Sequence, residues 1–295
     1  MKKTSKPILF FGTEDFSAHA LSGLIKAGYD IRAVITKPDS KKGRGQKVVA
    51  PIVKTLAQSH GICVLQPDKL TTIADDIRAL QPIAGVLVSY GKIIPQSIID
   101  LFTPGIINVH PSLLPKYRGP SPIESAIFNG DETTGVTIMQ LSAKMDAGPV
   151  YSQVKVPLDG TETRIELYKK LADIGTDELL RVIPDIVTEK LKPTIQTEKQ
   201  ASYCQLLRKN DALLDPQTMT APEAERHVRA YLGFPRSKAA ISGQQLIVTK
   251  AQLVDQSKTP LDVTFYDGSV LSISEVIAPS GKTLCAEAYL RGYAA

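Results

Sequence analysis

Short hydrophobic runs alternate with amphipathic segments along the first half of the chain. Residues 14–27 repeat their apolar positions at helical spacing and are followed by Gly28, which predicts a helix. Pro51 and Pro95 each open a further helical segment. The apolar runs between the helices predict buried strands at Ile8–Phe11, Ile31–Thr36, Gly85–Ser89 and Ile106–Val109.

This alternation predicts an α/β domain built on a doubly wound, mostly parallel sheet. Val136–Leu141 and Val150–Val156 predict a later pair of strands, which flank a loop that contains Asp146. The capping-box pattern formed by Thr163 and Glu166 predicts the start of a long helix.

The pattern changes after residue 190. Residues 191–206 are polar and lack a period, which predicts a linker between a first domain, 1–190, and a C-terminal domain, 207–295. A second capping box, at Thr220 and Glu223, opens a short helix. Closely spaced apolar runs then predict a small β domain, with strands at Ala239–Ile241, Leu246–Val248, Val263–Tyr266 and Val270–Ile273.

Composition and charge narrow the class of protein. The chain has 295 residues and a net charge of +5, a mild excess that permits an anionic partner without requiring one. Its three cysteines are far apart, so they predict neither a metal site nor a disulfide framework and fit a reducing cytosol. No stretch approaches the ~20 apolar residues of a membrane span. The apolar run behind the basic N-terminus is too short for a signal peptide, so a cytoplasmic globular protein is expected.

The most informative stretch follows the strand predicted at Ile106–Val109. Asn108 and His110 lie two residues apart at the end of that strand, so their side chains share one side of it. A loop rich in proline comes next, and proline continues neither a helix nor a central strand. In open α/β sheets, ligands bind at the carboxyl edge of the strands. An amide donor and an imidazole at this edge therefore predict a functional site.

Four motifs give the chain a resemblance to a known family. Asn-x-His followed by Ser-Leu-Leu-Pro, within residues 108–115, resembles the folate-dependent formyltransferases. The continuation Tyr117-Arg118-Gly119 is most similar to the methionyl-tRNA branch of that family. The remaining motifs lie at matching spacing and comprise Phe11–Phe16, Gly43–Lys47, and Gly135–Gln140 with Met145–Gly148.

The resemblance implies both a fold and a reaction. The fold is a Rossmann-like formyltransferase domain followed by a small OB-like β-barrel domain that binds tRNA. The reaction transfers a formyl group from the co-substrate 10-formyltetrahydrofolate to the amino group of methionyl initiator tRNA, in translation initiation. A monomer without a metal is the expected state.

The resemblance also assigns catalytic roles to Asn108, His110 and Asp146. Formyl transfer needs a donor to the developing oxyanion and a group that handles protons. By resemblance, Asn108 donates to the oxyanion, His110 donates to it or protonates the leaving nitrogen, and Asp146 stabilises charged His110 or relays a proton. Taken alone, Asp146 before Ala-Gly is more typical of a tight turn, and its catalytic role rests on the family spacing.

Two further loops complete the implied folate site. In the family, the pterin lies beside the loop after a central strand and the loop before the catalytic aspartate, and it bonds mostly to main chain. Plain packing is the alternative for Tyr90, and turn structure is an alternative for Ser112. The implied folate-binding residues are Leu87, Val88, Ser89, Tyr90, Ser112, Leu113, Leu114, Pro115 and Leu141.

A basic loop between Lys37 and Lys47 leaves the same edge of the predicted sheet. A solvated loop is the ordinary interpretation of such a segment. A clamp on the phosphate backbone of the tRNA acceptor stem is favoured here, because Arg44 matches a family position. The implied tRNA-binding residues are Lys41, Lys42, Arg44 and Lys47.

Three alternatives remain open at this point. The nearest is a formyltransferase that acts on another amine, such as an amino-sugar nucleotide, against which the basic loop argues. A second is a tRNA- or folate-binding protein without activity, which the complete set of catalytic residues disfavours. A nicotinamide oxidoreductase is weakest, because Gly12 is not followed by the glycine pattern of a dinucleotide-binding loop.

Overall fold

The computed structural model describes residues 7–42, 45–241 and 243–293. Contacts between residues divide the chain into two compact units, each assembled from more than one segment. The first unit contains residues 1–120, 135–156 and 168–203. The second contains residues 121–134, 157–167 and 204–295.

A seven-stranded sheet is the framework of the first unit. Strands β1 to β9 are Ile8–Gly12, Ile31–Ile35, Ser40–Lys42, Lys47–Val49, Cys63–Leu65, Ala84–Val88, Ile106–His110, Thr133–Gln140 and Val150–Pro157. All except β3 and β4 join the sheet, in the order β5-β2-β1-β6-β7-β8-β9. Strands β5, β2, β1, β6 and β7 are parallel, and β8 is antiparallel to β7. The predicted doubly wound, mostly parallel sheet is confirmed.

Helices connect the strands, as the sequence pattern predicts. Helices α1 to α6 are Asp15–Lys26, Ile52–Ser59, Ala74–Leu80, Gln96–Ile99, Pro122–Phe128 and Arg164–Val187. A 3-10 turn, Leu70–Ile73, precedes α3. The capping box at the start of α6 is confirmed: the N–H of Thr163 donates to Glu166 Oε2 at 3.0 Å, and the N–H of Glu166 donates to Thr163 Oγ1 at 3.3 Å.

Two inner strands, β1 and β7, are buried along their whole length, and the ends of β1 and β6 are tied together. All five residues of β1 and of β7 are buried, the pattern of strands covered on both faces. Just beyond β1, Ser17 Oγ accepts a hydrogen bond from the N–H of Thr13 at 3.0 Å and donates one to the carbonyl of Val88. The carboxyl ends of β1 and β6 are therefore fixed side by side, and the predicted site lies at this edge.

The basic segment predicted as a loop contains structure of its own. Strands β3 and β4 pair as an antiparallel ribbon, with Lys41 opposite Val48. Val48 is 67% exposed, so this ribbon has no buried face at that position. Since sequence patterning detects strands by their buried face, the ribbon could not be predicted from periodicity.

The second unit contains an antiparallel sheet. Strands β10 to β14 are Lys238–Ile241, Gln244–Val254, Asp262–Thr264, Val270–Ile277 and Thr283–Cys285, and helices α7 and α8 are Ala221–Ala230 and Ala286–Tyr293. The strands follow the order β10-β11-β13-β12, and β14 also pairs with β13. This sheet agrees with the predicted small β domain, and the capping box of Thr220 and Glu223 is confirmed. Within the described ranges, no helix is long and apolar enough to cross a membrane.

Candidate active site at the carboxyl edge of the sheet

Asn108 and His110 lie in the last part of β7, the strand next to the central strand β6. Asn108 lies beside Leu87 of β6 and Met139 of β8, and His110 lies opposite Thr137. Asn108 is 4% exposed and His110 is 5% exposed. As alternate residues of one strand, they present their side chains on the same face, where little of either is exposed to solvent.

His110 has a different partner at each ring nitrogen. Its Nε2 lies 2.9 Å from the carbonyl oxygen of Tyr117. A carbonyl can only accept, so we assign a proton to Nε2. The other nitrogen, Nδ1, lies 3.8 Å from Oδ2 of Asp146. This distance exceeds a hydrogen bond, so the carboxylate acts on the ring as a nearby charge. The structure thus brings the predicted histidine and aspartate together.

Asp146 is both a turn residue and the partner of His110. Its φ is +45°, in the left-handed region. Its Oδ2 accepts a hydrogen bond of 2.8 Å from the N–H of Gly119. Two residues on, a Cβ at Gly148 would collide with the carbonyl oxygen of Gln140, so only glycine lets the loop lie against β8. The turn at Asp146 therefore also sets the position of its carboxylate near His110.

The amide of Asn108 is uncommitted. Across the residues that the structure describes, no side chain or backbone group hydrogen-bonds to it, although the residue is buried. Buried amides are normally satisfied by protein or water. Its two N–H groups therefore remain available to a substrate oxygen.

The predicted folate loop after β6 is anchored through its main chain. The carbonyl of Tyr90 accepts a hydrogen bond of 2.9 Å from Thr13 Oγ1, and Ser89 has a φ of +44°. The ring of Tyr90 packs edge-on against Phe11, with centroids 5.9 Å apart, and the residue is 1% exposed. This contact favours the packing alternative for the Tyr90 ring. Leu87 is half-buried and Val88 is buried, both as members of β6.

The predicted folate residues after His110 divide into two groups. Ser112 Oγ donates to the carbonyl of Lys116 at 2.5 Å, and the carbonyl of Ser112 accepts from Thr137 Oγ1 at 2.6 Å. The N–H of Leu114 donates to the same Thr137 hydroxyl at 3.1 Å. These bonds favour turn structure for Ser112 and Leu114. The other predicted residues in this part of the site are half-buried, namely Leu113, Pro115 and Leu141.

Three of the predicted tRNA-binding residues, Lys41, Lys42 and Lys47, belong to the β3–β4 ribbon. The acid before it, Asp39, accepts hydrogen bonds of 2.8 Å from Gln66 and Lys54, which lower its pKa. Lys41 and Lys47 are exposed, and neither forms an ion pair with a described residue. Lys42 contributes its backbone to β3, whereas its side chain and the whole of Arg44 lie outside the described residues.

Sequence reasoning missed one part of the site. The N–H of Tyr117 donates to Ser202 Oγ at 2.9 Å, and the N–H of Arg118 donates to the carbonyl of Ser202 at 2.8 Å. Gln196, which lies with Ser202 in the polar segment 191–206, donates a hydrogen bond to the carbonyl of Asp146. Nothing in the periodicity of 191–206 could indicate these contacts. In the described part of the chain, no group of three or more His, Cys, Asp or Glu side chains could hold a metal ion.

The hydroxyl of Tyr90 provides a first testable consequence. It finds no hydrogen-bond partner among the described residues, and burial raises its pKa to about 12. Y90F removes this unsatisfied group, so we expect the free energy of unfolding to rise by about 1 kcal/mol. The gain should grow between pH 10 and 12, because there the unfolded tyrosine ionises and the folded one does not, which destabilises only the wild type.

Urea unfolding of Y90F and wild type at neutral pH and above pH 10 measures this difference. Y151F is a positive control for the effect of pH, since burial also raises the pKa of Tyr151. A lower stability of Y90F at neutral pH would show that the hydroxyl is satisfied by a partner such as bound water.

Comparison with known proteins identifies the family of this chain. A family model described as formyl transferase matches residues 6–183. Methionyl-tRNA formyltransferase from Chloroflexus aurantiacus is 36% identical over 97% of this chain and 96% of its own length. The Stutzerimonas stutzeri enzyme of the same name is 38% identical over 94% of this chain and 91% of its own.

Solved structures share the fold at lower identity. A Helicobacter canadensis N-formyltransferase, in complex with folinic acid and dTDP-3-aminofucose, has a TM-score of 0.69 at 19% identity and covers 92% of this chain and 99% of its own. HypX from Aquifex aeolicus with tetrahydrofolic acid has a TM-score of 0.68 at 17% identity, over 97% of this chain and 47% of its own. From its matched family model and the two full-length relatives, the chain belongs to the formyl transferase family, within which it groups with the methionyl-tRNA formyltransferases.

Proposed function

We propose that this chain transfers the formyl group of 10-formyltetrahydrofolate to the amino group of methionyl initiator tRNA. The observation that carries the proposal is the pairing of His110 with Asp146, 3.8 Å apart, beside the uncommitted amide of Asn108. Family membership supplies the co-substrate and the acceptor. The site supplies an oxyanion donor, a proton-handling ring and a compensating charge, which are the groups that acyl transfer requires.

The reaction balances with these groups alone. The methionyl amine attacks the formyl carbon, a new C–N bond forms, and the carbonyl electrons move to oxygen. Asn108 donates to this oxyanion. When the C=O bond re-forms, the bond between the formyl carbon and the folate nitrogen breaks. The amine loses a proton and the folate nitrogen gains one, leaving formylmethionyl-tRNA and tetrahydrofolate.

His110 moves that proton through Nδ1. Its Nε2–H is held by the carbonyl of Tyr117, so the lone pair of the neutral ring lies at Nδ1, on the side of Asp146. A proton accepted at Nδ1 creates an imidazolium, which the Asp146 carboxylate stabilises. The same proton then passes to the leaving folate nitrogen. General acid–base catalysis of this kind contributes about 10²–10⁴ in rate.

The rest of the chain serves recognition of the folate and the tRNA. The pterin lies between residues 87–93 and 141–146 and bonds mostly to main chain. The antiparallel sheet of the second unit belongs to an OB-like barrel that contacts the tRNA, in a C-terminal domain that begins near residue 207. The enzyme acts as a monomer in the cytoplasm.

Removing charge from the β3–β4 ribbon should weaken tRNA binding without changing the chemistry. We expect K41A/K47A to raise KM for methionyl-tRNA by about tenfold and to make the slope of log affinity against log salt shallower by about 1.8, or ~0.9 for each lost phosphate contact to a duplex such as the acceptor stem. The KM for the folate donor and kcat at saturating tRNA should remain unchanged. Steady-state kinetics at several salt concentrations measure these parameters.

The matched control is K169A/K190A, which also removes two positive charges. Lys169 is exposed on α6, and Lys190 is exposed just after the end of that helix. If both double variants change KM equally, the ribbon contributes only general charge. The clamp would then be an incorrect interpretation, and the ribbon would be a solvated segment.

The test of the function is a comparison of acceptors with radiolabelled 10-formyltetrahydrofolate. Charged methionyl initiator tRNA, uncharged tRNA, glycinamide ribonucleotide and an amino-sugar nucleotide are supplied in parallel. We expect label only in the charged tRNA. Label in a small amine would keep the donor and the site but overturn the acceptor, and binding of tRNA and folate without any transfer would overturn the enzyme.

A further inference from the structure

A glutamine connects the backbone of Asp146 to a buried arginine. Both N–H groups of the Gln196 amide donate to this loop, at 2.8 Å to the carbonyl of Asp146 and at 2.7 Å to the carbonyl of Gly148. The amide oxygen of Gln196 accepts from Nε and Nη2 of Arg118 at 3.1 and 2.9 Å. The whole amide is therefore used to join two loops.

Arg118 is a fixed support for this amide. The residue is 0% exposed, and a buried guanidinium needs partners on every side. Its remaining nitrogen, Nη1, donates to Glu198 Oε2 at 2.9 Å and to Tyr203 Oη at 3.0 Å. Glu198 also holds Lys144 at 3.0 Å, so the segment that carries Gln196 is attached to the Asp146 loop from a second side.

Arg118 also lies between Tyr117 and Gly119, and the main chains of these two residues hydrogen-bond to the side chains of His110 and Asp146. Tyr117, before it, offers its carbonyl to His110 Nε2, and Gly119, after it, donates its N–H to Asp146 Oδ2. Tyr117 and Asp146 both have positive φ, at +58° and +45°. Non-glycine residues keep such angles only where the surroundings enforce them. A closed circuit of contacts thus runs through His110, Tyr117, Arg118, Gln196 and Asp146.

We infer that Gln196 is a positioning residue that, held by Arg118, fixes the Asp146 turn and thereby the separation between His110 and Asp146. The kinetic part of this inference rests on the proposed function. Gln196 does not touch the reacting atoms. Its effect passes through Asp146, so its loss should lower turnover while substrate binding is retained.

The decisive variant is Q196E, with Y203F as its control. A glutamate side chain has the same shape and still accepts from Arg118, but it loses both donors and turns an oxygen towards the carbonyls of Asp146 and Gly148. Y203F removes one bond from the other end of the same guanidinium and leaves the Asp146 contacts intact. We expect Q196E to lower kcat by about 10- to 100-fold, with KM for both substrates changed less than about threefold. Y203F should stay within about threefold of wild type in both parameters.

A second readout does not depend on activity. In proteins labelled with ¹⁵N-histidine, the His110 ring resonances, assigned with H110Q, should shift in Q196E and stay in place in Y203F. Q196A, which leaves room for water, gives the same comparison if Q196E does not fold. Unchanged His110 resonances and wild-type kcat in a folded Gln196 variant would overturn the inference. If the wild type transfers no formyl group, the proposed function fails, and the resonances still decide the role of Gln196.

Discussion

Replacing His110 with glutamine is expected to lower kcat for formyl transfer by about 10²–10⁴-fold, the usual contribution of a positioned acid–base group. Glutamine can still donate an N–H to the carbonyl of Tyr117, so the loop that His110 supports should keep its place. It cannot accept the amine's proton. The loss should therefore appear in kcat, measured at saturating methionyl-tRNA and folate, while both KM values and the thermal unfolding midpoint change little.

H60Q is the matched control for this prediction. His60 is exposed and lies after α2, away from β7 in the sequence. It should show wild-type kinetics. If H110Q retained normal turnover, His110 would not carry the proton, and the chemistry would have to rest on Asp146 and Asn108 alone.

The second large effect is expected at Asn108. N108A removes the proposed donor to the oxyanion, and the loss of one such donor typically costs about 10²–10³ in kcat. Stability should not fall with activity, because the buried amide has no partner among the described residues that the change would leave unsatisfied. Single-turnover rates measured beside a urea unfolding curve test both halves of this prediction.

N210A is the appropriate comparison, since Asn210 is exposed in a 3-10 turn of the second unit. It should leave kcat unchanged. A drop in N108A stability that parallels its loss of rate would contradict the oxyanion role and make Asn108 a structural residue of β7.

Local sequence patterns were sufficient for the framework of this site. The uninterrupted burial of β7 follows from its apolar run, and period-2 alternation places Asn108 and His110 on one face. The capping boxes at Thr163 and Thr220 mark helix starts because side chain and backbone satisfy each other within four residues. Such features are local, and a sequence expresses them directly.

The contacts that close the site are not local. The bond from Gln196 to Asp146 joins residues 50 apart in the chain, and its acceptor is a backbone carbonyl, which every residue type offers. Neither the periodicity nor the composition of a sequence predicts a hydrogen bond of that kind. Asp146 itself could be assigned only by resemblance to the family, because its local sequence predicts no more than a turn. Its catalytic role stays a prediction.

The central claim is that His110 and Asp146 work as one unit in formyl transfer. The most direct measurement is a double-mutant cycle on kcat with wild type, H110Q, D146N and H110Q/D146N, using 10-formyltetrahydrofolate and methionyl initiator tRNA. Residues that act as a unit have strongly non-additive effects, so the double variant should fall no more than about threefold below the slower single variant. If the two losses multiply instead, the residues act independently, and the proposed mechanism is wrong.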